Sequence, residues 1–125
     1  MTSCILVAGG HYRQRQAAIA ARLDAGVDSA VIFEGIDQGG FTGVQPAIFP
    51  PESASLRITT IAVGCPCCDG GMVMRVTLNR MLQRHPVQLF ISLADAAHLA
   101  HLQAYLAAPP YADLVTLAPA IDFDG

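Results

Sequence analysis

Three of the four cysteines of this 125-residue chain crowd into the segment Gly64-Cys65-Pro66-Cys67-Cys68-Asp69-Gly70-Gly71. A thiolate at the mouth of a strand, facing the start of a helix, meets the partial positive charge of the helix end, which lowers its pKa and favours the ionised, metal-ligating form. Zinc takes four ligands in a tetrahedral array and copper(I) accepts two or three thiolates. Cys65, Cys67 and Cys68 are therefore an incomplete zinc set and a nearly sufficient copper(I) set. A fourth ligand has to come from elsewhere: His11, Glu34, Asp69, a water or a second subunit. Cys65 and Cys68 also form a C-x-x-C, so a dithiol redox couple is a competing use, although the intervening Cys67 complicates a two-thiol cycle. The bland alternative is three small, partly buried side chains with no chemistry.

A second candidate lies at the start of the chain, where an apolar run enters Ala8-Gly9-Gly10-His11-Tyr12-Arg13-Gln14-Arg15-Gln16. The placement is that of a phosphate loop, with Gly9, Gly10, Arg13 and Arg15 as the candidate phosphate contacts. The Walker pattern G-x-x-x-x-G-K-[ST] needs a second glycine, a lysine for the β- and γ-phosphates and a hydroxyl for magnesium. All seven basic residues here are arginines, and no Gly, Ser or Thr occurs between His11 and Asp24. Contact of a nucleotide with a helix N-terminus is conceivable on these residues. Hydrolysis is not expected, so GTP is not expected as a cofactor and the chain reads as a non-enzyme.

Other polar residues carry weaker signals. His98 and His101 stand three apart, close enough to share a helix face, but with no carboxylate at matching spacing a solvated stripe is the simpler reading. His85, before Pro86, reads as a helix-end residue. Asp122 and Asp124 alternate at the chain end and read as solvated acids. Met72, Met74 and Met81 follow the cysteines; their thioethers suit copper(I), and core filling is their default. Cys4, alone in an apolar run, belongs to the core.

These groups must be positioned by strands and helices that alternate along the chain. Cys4–Ala8, Ala30–Glu34, Arg57–Val63, Val87–Leu93 and Leu114–Ile121 are short runs rich in Val, Ile and Leu, the pattern of a buried parallel sheet. Between them, Tyr12–Ala25, Gly71–Arg84 and Asp95–Ala107 have helical spacing or composition, with Gly26, His85-Pro86 and Pro109-Pro110 as stops and Asp95 as an N-cap. The expectation is a single α/β domain over 1–125, with three layers: a mostly parallel sheet of about five strands and helices on both faces. Gly35–Ser55, with its glycines and prolines, reads as a long loop with a short edge strand near Ala47–Phe49.

Composition narrows the partners. Hydrophobic residues make 53% and charged residues 14% of the chain, which excludes a disordered segment and suggests apolar surface that meets a partner or a second copy. A net charge of −3 with scattered arginines gives no footprint for a phosphate backbone, so nucleic acid is not an expected partner. No run reaches the roughly 18 apolar residues of a membrane helix, and the start lacks a basic leader, so no membrane association and a cytoplasmic location are expected. A last run that ends on or just past a strand reads as the front part of something larger.

The order of parts, together with Gly64-Cys65-Pro66-Cys67-Cys68 and the later Ser92-Leu93-Ala94-Asp95, resembles the CobW-like branch of the CobW/HypB/UreG family of P-loop GTPase metallochaperones. That branch carries a G-C-x-C-C motif after a strand and a G-L-A-D-P segment after the next. The resemblance implies a P-loop NTPase-like fold, here truncated, and a metal cargo such as zinc, cobalt or nickel held by Cys65, Cys67 and Cys68. It also marks departures. The acidic residue expected before the G-L-A-D segment is replaced by Phe90-Ile91, its glycine is Ser92, and a chain without lysine has no guanine-reading N-K-x-D. The combined expectation is a zinc-binding, nucleotide-blind relative that docks as a homodimer or on a protein partner. A divergent GTPase with arginine in place of lysine and a C-x-x-C thiol oxidoreductase are the alternatives.

Overall fold

The apolar runs form strands, and the strands form one sheet, in the computed structural model, which describes residues 1–24, 26–34, 50–61 and 72–123. The side chains of Met72 and Val73 are outside the description as well. In chain order the elements are β1 (Thr2–Ala8), α1 (Tyr12–Ala20), β2 (Ser29–Glu34), β3 (Leu56–Ile61), α2 (Met72–Gln83), β4 (Gln88–Leu93), α3 (Leu99–Ala107), β5 (Val115–Leu117) and β6 (Ile121–Asp122). The sheet runs β3-β2-β4-β1-β5, with β6 also paired to β1, and every strand ladder is parallel.

Side-chain alternation along the central strands divides the core into two layers. On one face Val7, Val31, Phe33 and Phe90 pack with Tyr12 and Ile19 of α1. On the other, Leu6, Ala8, Ile32, Leu89, Ile91 and Leu93 pack with Met74, Leu78 and Met81 of α2 and with Leu102 and Leu106 of α3. All six residues of β2 are buried, as a central parallel strand covered on both faces requires. Each fully buried Leu, Ile or Phe contributes on the order of 1.5–3 kcal/mol. The expected three-layer α/β architecture is therefore present, with α1 on one face of the sheet and α2 and α3 on the other.

Three local departures have identifiable causes. The first helix closes at Ala20 rather than Ala25, because its continuation tightens: the Arg22 N–H donates to Ile19 O at 2.9 Å and the Leu23 N–H to Ala20 O at 3.3 Å, both three residues back. Gly26 follows with φ 91°, the left-handed conformation that favours glycine. The expected last strand, Leu114–Ile121, is interrupted. Ala118 still donates its N–H to Cys4 O at 2.9 Å, but Pro119 has no N–H to give, and pairing resumes with Ile121 beside Val7. Leu117 pairs with Cys4, so one extra residue is accommodated on the edge strand, a bulge centred on the proline. Asp95 caps as expected, its Oδ1 accepting the Ala97 N–H at 2.9 Å, but a 3₁₀ turn at Ala96–His98 precedes α3. No helix among the described residues is long and apolar enough to cross a membrane. The possible edge strand near Ala47–Phe49 lies outside the described residues.

Candidate functional site

The carboxyl ends of β1, β2, β3 and β4 share one edge of the sheet. From β1 the chain crosses by α1 on one face to β2; from β4 it crosses by α3 on the other face to β5. The two adjacent strands thus send their continuations apart, which opens the crevice where ligands of parallel α/β sheets bind.

The β1–α1 turn lies on this crevice. Gly9 and Gly10 have φ of 76° and 64°, so both positions depend on glycine. The Gly9 N–H donates to Leu93 O at 3.3 Å and the His11 N–H to Gln14 Oε1 at 2.7 Å. Arg15, 3% exposed, turns back from the first turn of α1. Its Nη1 donates to Gly9 O at 2.9 Å and to Gly10 O at 3.1 Å, its Nε donates to Ser92 Oγ at 2.8 Å, and its guanidinium carbon lies 5.6 Å from the Tyr12 ring centroid. A Cβ on Gly10 would stand 2.9 Å from Phe123 Cβ, and Phe123 is tied down by its N–H to Ala8 O at 2.9 Å.

Laid on the Walker pattern from Gly9, Gln14 takes the second glycine's position, Arg15 the lysine's and Gln16 the hydroxyl's. A phosphate cradle presents inward N–H groups to an anion. Here the turn presents carbonyls to an internal cation, and the N–H groups of Gly9 and His11 already have partners. Arg13, the remaining candidate phosphate contact, is exposed on α1.

Of the metal candidates, Cys65, Cys67, Cys68 and Asp69 lie outside the described residues. The two possible extra ligands are both at the carboxyl edge but at different places along it. Glu34 is fully buried, and its Oε1 accepts the Ala94 N–H at 3.2 Å. It ends β2 in register with Ile61, the last described residue before the cysteine segment. It alternates with Ala30 and Ile32, which places it on the face that carries α2, the helix the cysteine segment leads into. His11, exposed at the N-cap of α1, belongs to β1, three strand spacings from β3 or roughly 14 Å, and to the opposite face. Among the described residues, no group of three or more His, Cys, Asp or Glu could hold a metal ion.

The lesser candidates fall mostly as expected. Cys4 is buried in the core, where desolvation pushes its thiol up to about 12. Met74 and Met81 are core residues. His85 closes α2 with φ 51°, its N–H donating to Leu82 O at 3.0 Å. The His98 and His101 rings are 6.5 Å apart and edge-on, with His98 Nε2 3.9 Å from Asp95 Oδ2. His101 is exposed, but His98 is only partly so and its Nδ1 is buried without a hydrogen bond, so the pair is not a uniformly solvated stripe. Asp122 is exposed, and Asp124 lies outside the described residues. Sequence reasoning missed the bond of Arg15 to Ser92. No local pattern links the two residues, which lie 77 apart in the chain.

No family model, curated protein or solved structure matches this chain.

Proposed function

We propose that the chain is a metal-binding protein of the CobW-like metallochaperone type. Zinc is held by Cys65, Cys67 and Cys68, with Glu34 as the protein's own source of a fourth donor, and GTP hydrolysis has no part in the activity. One observation carries the choice of Glu34. It is a buried carboxylate at the carboxyl end of the strand beside β3, in register with the residue from which the chain enters the cysteine segment. A carboxylate added to three thiolates completes a four-donor set of types that zinc accepts. The nucleotide-blind character is supported by the β1–α1 turn, whose carbonyls hold the Arg15 guanidinium where a phosphate loop would turn N–H groups toward an anion. Without a nucleotide switch, the protein acts as a carrier, a sensor or a subunit, as a homodimer or on a protein partner. Reduced thiolates accord with a cytoplasmic setting.

Elemental analysis of protein purified without chelator, set beside a Cys65→Ser/Cys67→Ser/Cys68→Ser variant, tests the reading. The expected result is about one zinc per chain in the wild type and loss of tight zinc in the variant. Wild type that binds zinc no tighter than the variant sinks it. Calorimetry with GTP and magnesium is expected to show no binding heat, and a reversible dithiol couple that survives metal removal would point to the oxidoreductase instead. Sedimentation with and without zinc reads the oligomeric state.

A further inference from the structure

A second site is built at the far side of the sheet from the carboxyl edge, and nothing in the metal reading uses it. The edge strand β3 and the helix α2 border a groove of ≈ 520 Å³, and three of the chain's seven arginines, Arg57, Arg80 and Arg84, line it. Arg57 is the second residue of β3 and points to the α2 side, alternating with Leu56 and Ile58, which pack on the other face. On the opposite wall, Thr77, Arg80 and Arg84 recur at three- and four-residue spacing along and just beyond α2, so they share one face.

The charges in this groove are only partly answered. The Arg57 side chain is 16% exposed, and its Nη1 donates to Asp28 Oδ1 at 3.2 Å. Its Nε and Nη2, the parallel pair of donors that takes an oxyanion side-on, are buried and make no hydrogen bond. Arginine cannot shed its proton to relieve this. Arg80 and Arg84 form no ion pair among the described residues. Among the described residues lining the groove, Glu52 is the one acidic side chain, and its Oε1 is occupied by the Ile58 N–H at 2.8 Å. In a chain of net charge −3, this is a local concentration of positive charge, and two of its buried donors make no hydrogen bond.

We propose that the groove binds a small polyanion, a phosphorylated or polycarboxylate molecule, between Arg57 on its β3 wall and Arg80 and Arg84 on its α2 wall. A volume of ≈ 520 Å³ is in the range of small-molecule sites. That size, with three guanidinium groups around it, suits a compact oxyanion. The proposal is independent of the metal reading, since Arg57 lies near the start of β3 and the cysteines follow its other end.

Titration of the full chain with inorganic pyrophosphate and, separately, with citrate, followed through arginine Nε–Hε resonances, tests it at about 0.15 M salt, where exposed charges are screened over about 8 Å. The Arg57 signal is expected to shift saturably with at least one of the two anions, and the arm that saturates names the source. Arg57→Gln is expected to weaken binding roughly tenfold or more, and Arg80→Gln/Arg84→Gln several-fold, while Arg22→Gln in the turn after α1 leaves it unchanged. The double variant alters exposed residues, so it keeps the test valid if Arg57→Gln fails to fold. No saturable shift with either anion up to about 10 mM overturns the proposal. So does a shift that the double variant leaves intact, or one that Arg22→Gln weakens equally. If the double variant lowers stability without any anion binding in the wild type, the arginines serve only the negative end of α2.

Discussion

Arg15 Nε donates to Ser92 Oγ at 2.8 Å, across 77 residues of sequence, and the same guanidinium holds the carbonyls of Gly9 and Gly10. One side chain thereby ties the turn after β1 to the end of β4, the two strands whose continuations part on opposite faces of the sheet. The serine supplies the acceptor that the buried arginine needs and that a glycine at this position would lack.

Arg15→Met should therefore lower stability by about 2–4 kcal/mol, since it removes charge-assisted bonds and leaves turn carbonyls without partners. Ser92→Ala should cost less, about 1–2 kcal/mol. Urea unfolding of both variants and the double variant gives the coupling, expected at roughly 1–2 kcal/mol. Strict additivity would show that the contact contributes nothing of its own.

Gly10 and Gly26 both have positive φ, at 64° and 91°, yet their surroundings differ. A Cβ at Gly10 would meet Gln14 Oε1 at 2.5 Å and Phe123 Cβ at 2.9 Å, whereas nothing lies within 4 Å of one at Gly26. Gly26→Ala should cost about 1 kcal/mol, the conformational term alone, and Gly10→Ala about 1–3 kcal/mol more. Thermal unfolding of the two variants compares them directly. Equal losses would mean that Phe123 does not press on the turn.

Cys4 couples stability to alkaline pH. Burial pushes its thiol from 9.0 to about 12, so the native state retains a proton that the unfolded chain releases. The contribution is present in full below pH 9 and is lost as pH rises from about 9 toward 12. Cys4→Ala should flatten that part of the pH–stability curve. Tyr111, also raised to about 12 by burial and its contact with Tyr105, adds a fall beginning near 10, which the variant retains. In native protein near pH 8, a thiol reagent should leave Cys4 unmodified.

Zinc affinity distinguishes the two candidate supplementary ligands. Glu34→Gln keeps an oxygen for the Ala94 N–H but removes the anionic donor, and should weaken zinc binding by roughly 10–100-fold in a competition titration. His11→Ala should leave zinc affinity unchanged and cost at most a fraction of a kcal/mol in stability. The reverse order of effects would move the supplementary ligand to the β1–α1 turn.

Much of the architecture was legible because its signals are local. Ala30–Phe33 and Leu89–Ile91 are apolar without interruption, as strands covered on both faces tend to be, and Asp95 announced a helix start through the N–H groups it can accept. Element ends were less legible. Pro119 broke an apparently continuous apolar run, and the residues after Ala20 tightened into turn bonds although their composition suits a helix. These outcomes depend on what each backbone group finds nearby.

By itself the sequence determined the alternation of strands and helices, the absence of a Walker lysine and hydroxyl, and the concentration of thiols after the third strand. Each is a matter of residue type, spacing or short-range backbone chemistry. Only the tertiary structure decided that β4 lies between β2 and β1, so that Ser92 meets Arg15, that Glu34 rather than His11 ends the strand beside β3, and that Arg57 shares a groove with Arg80 and Arg84. Those relationships join residues far apart in the chain. They arise when the two apolar faces of the sheet are covered by different helices, a packing choice that no local pattern encodes.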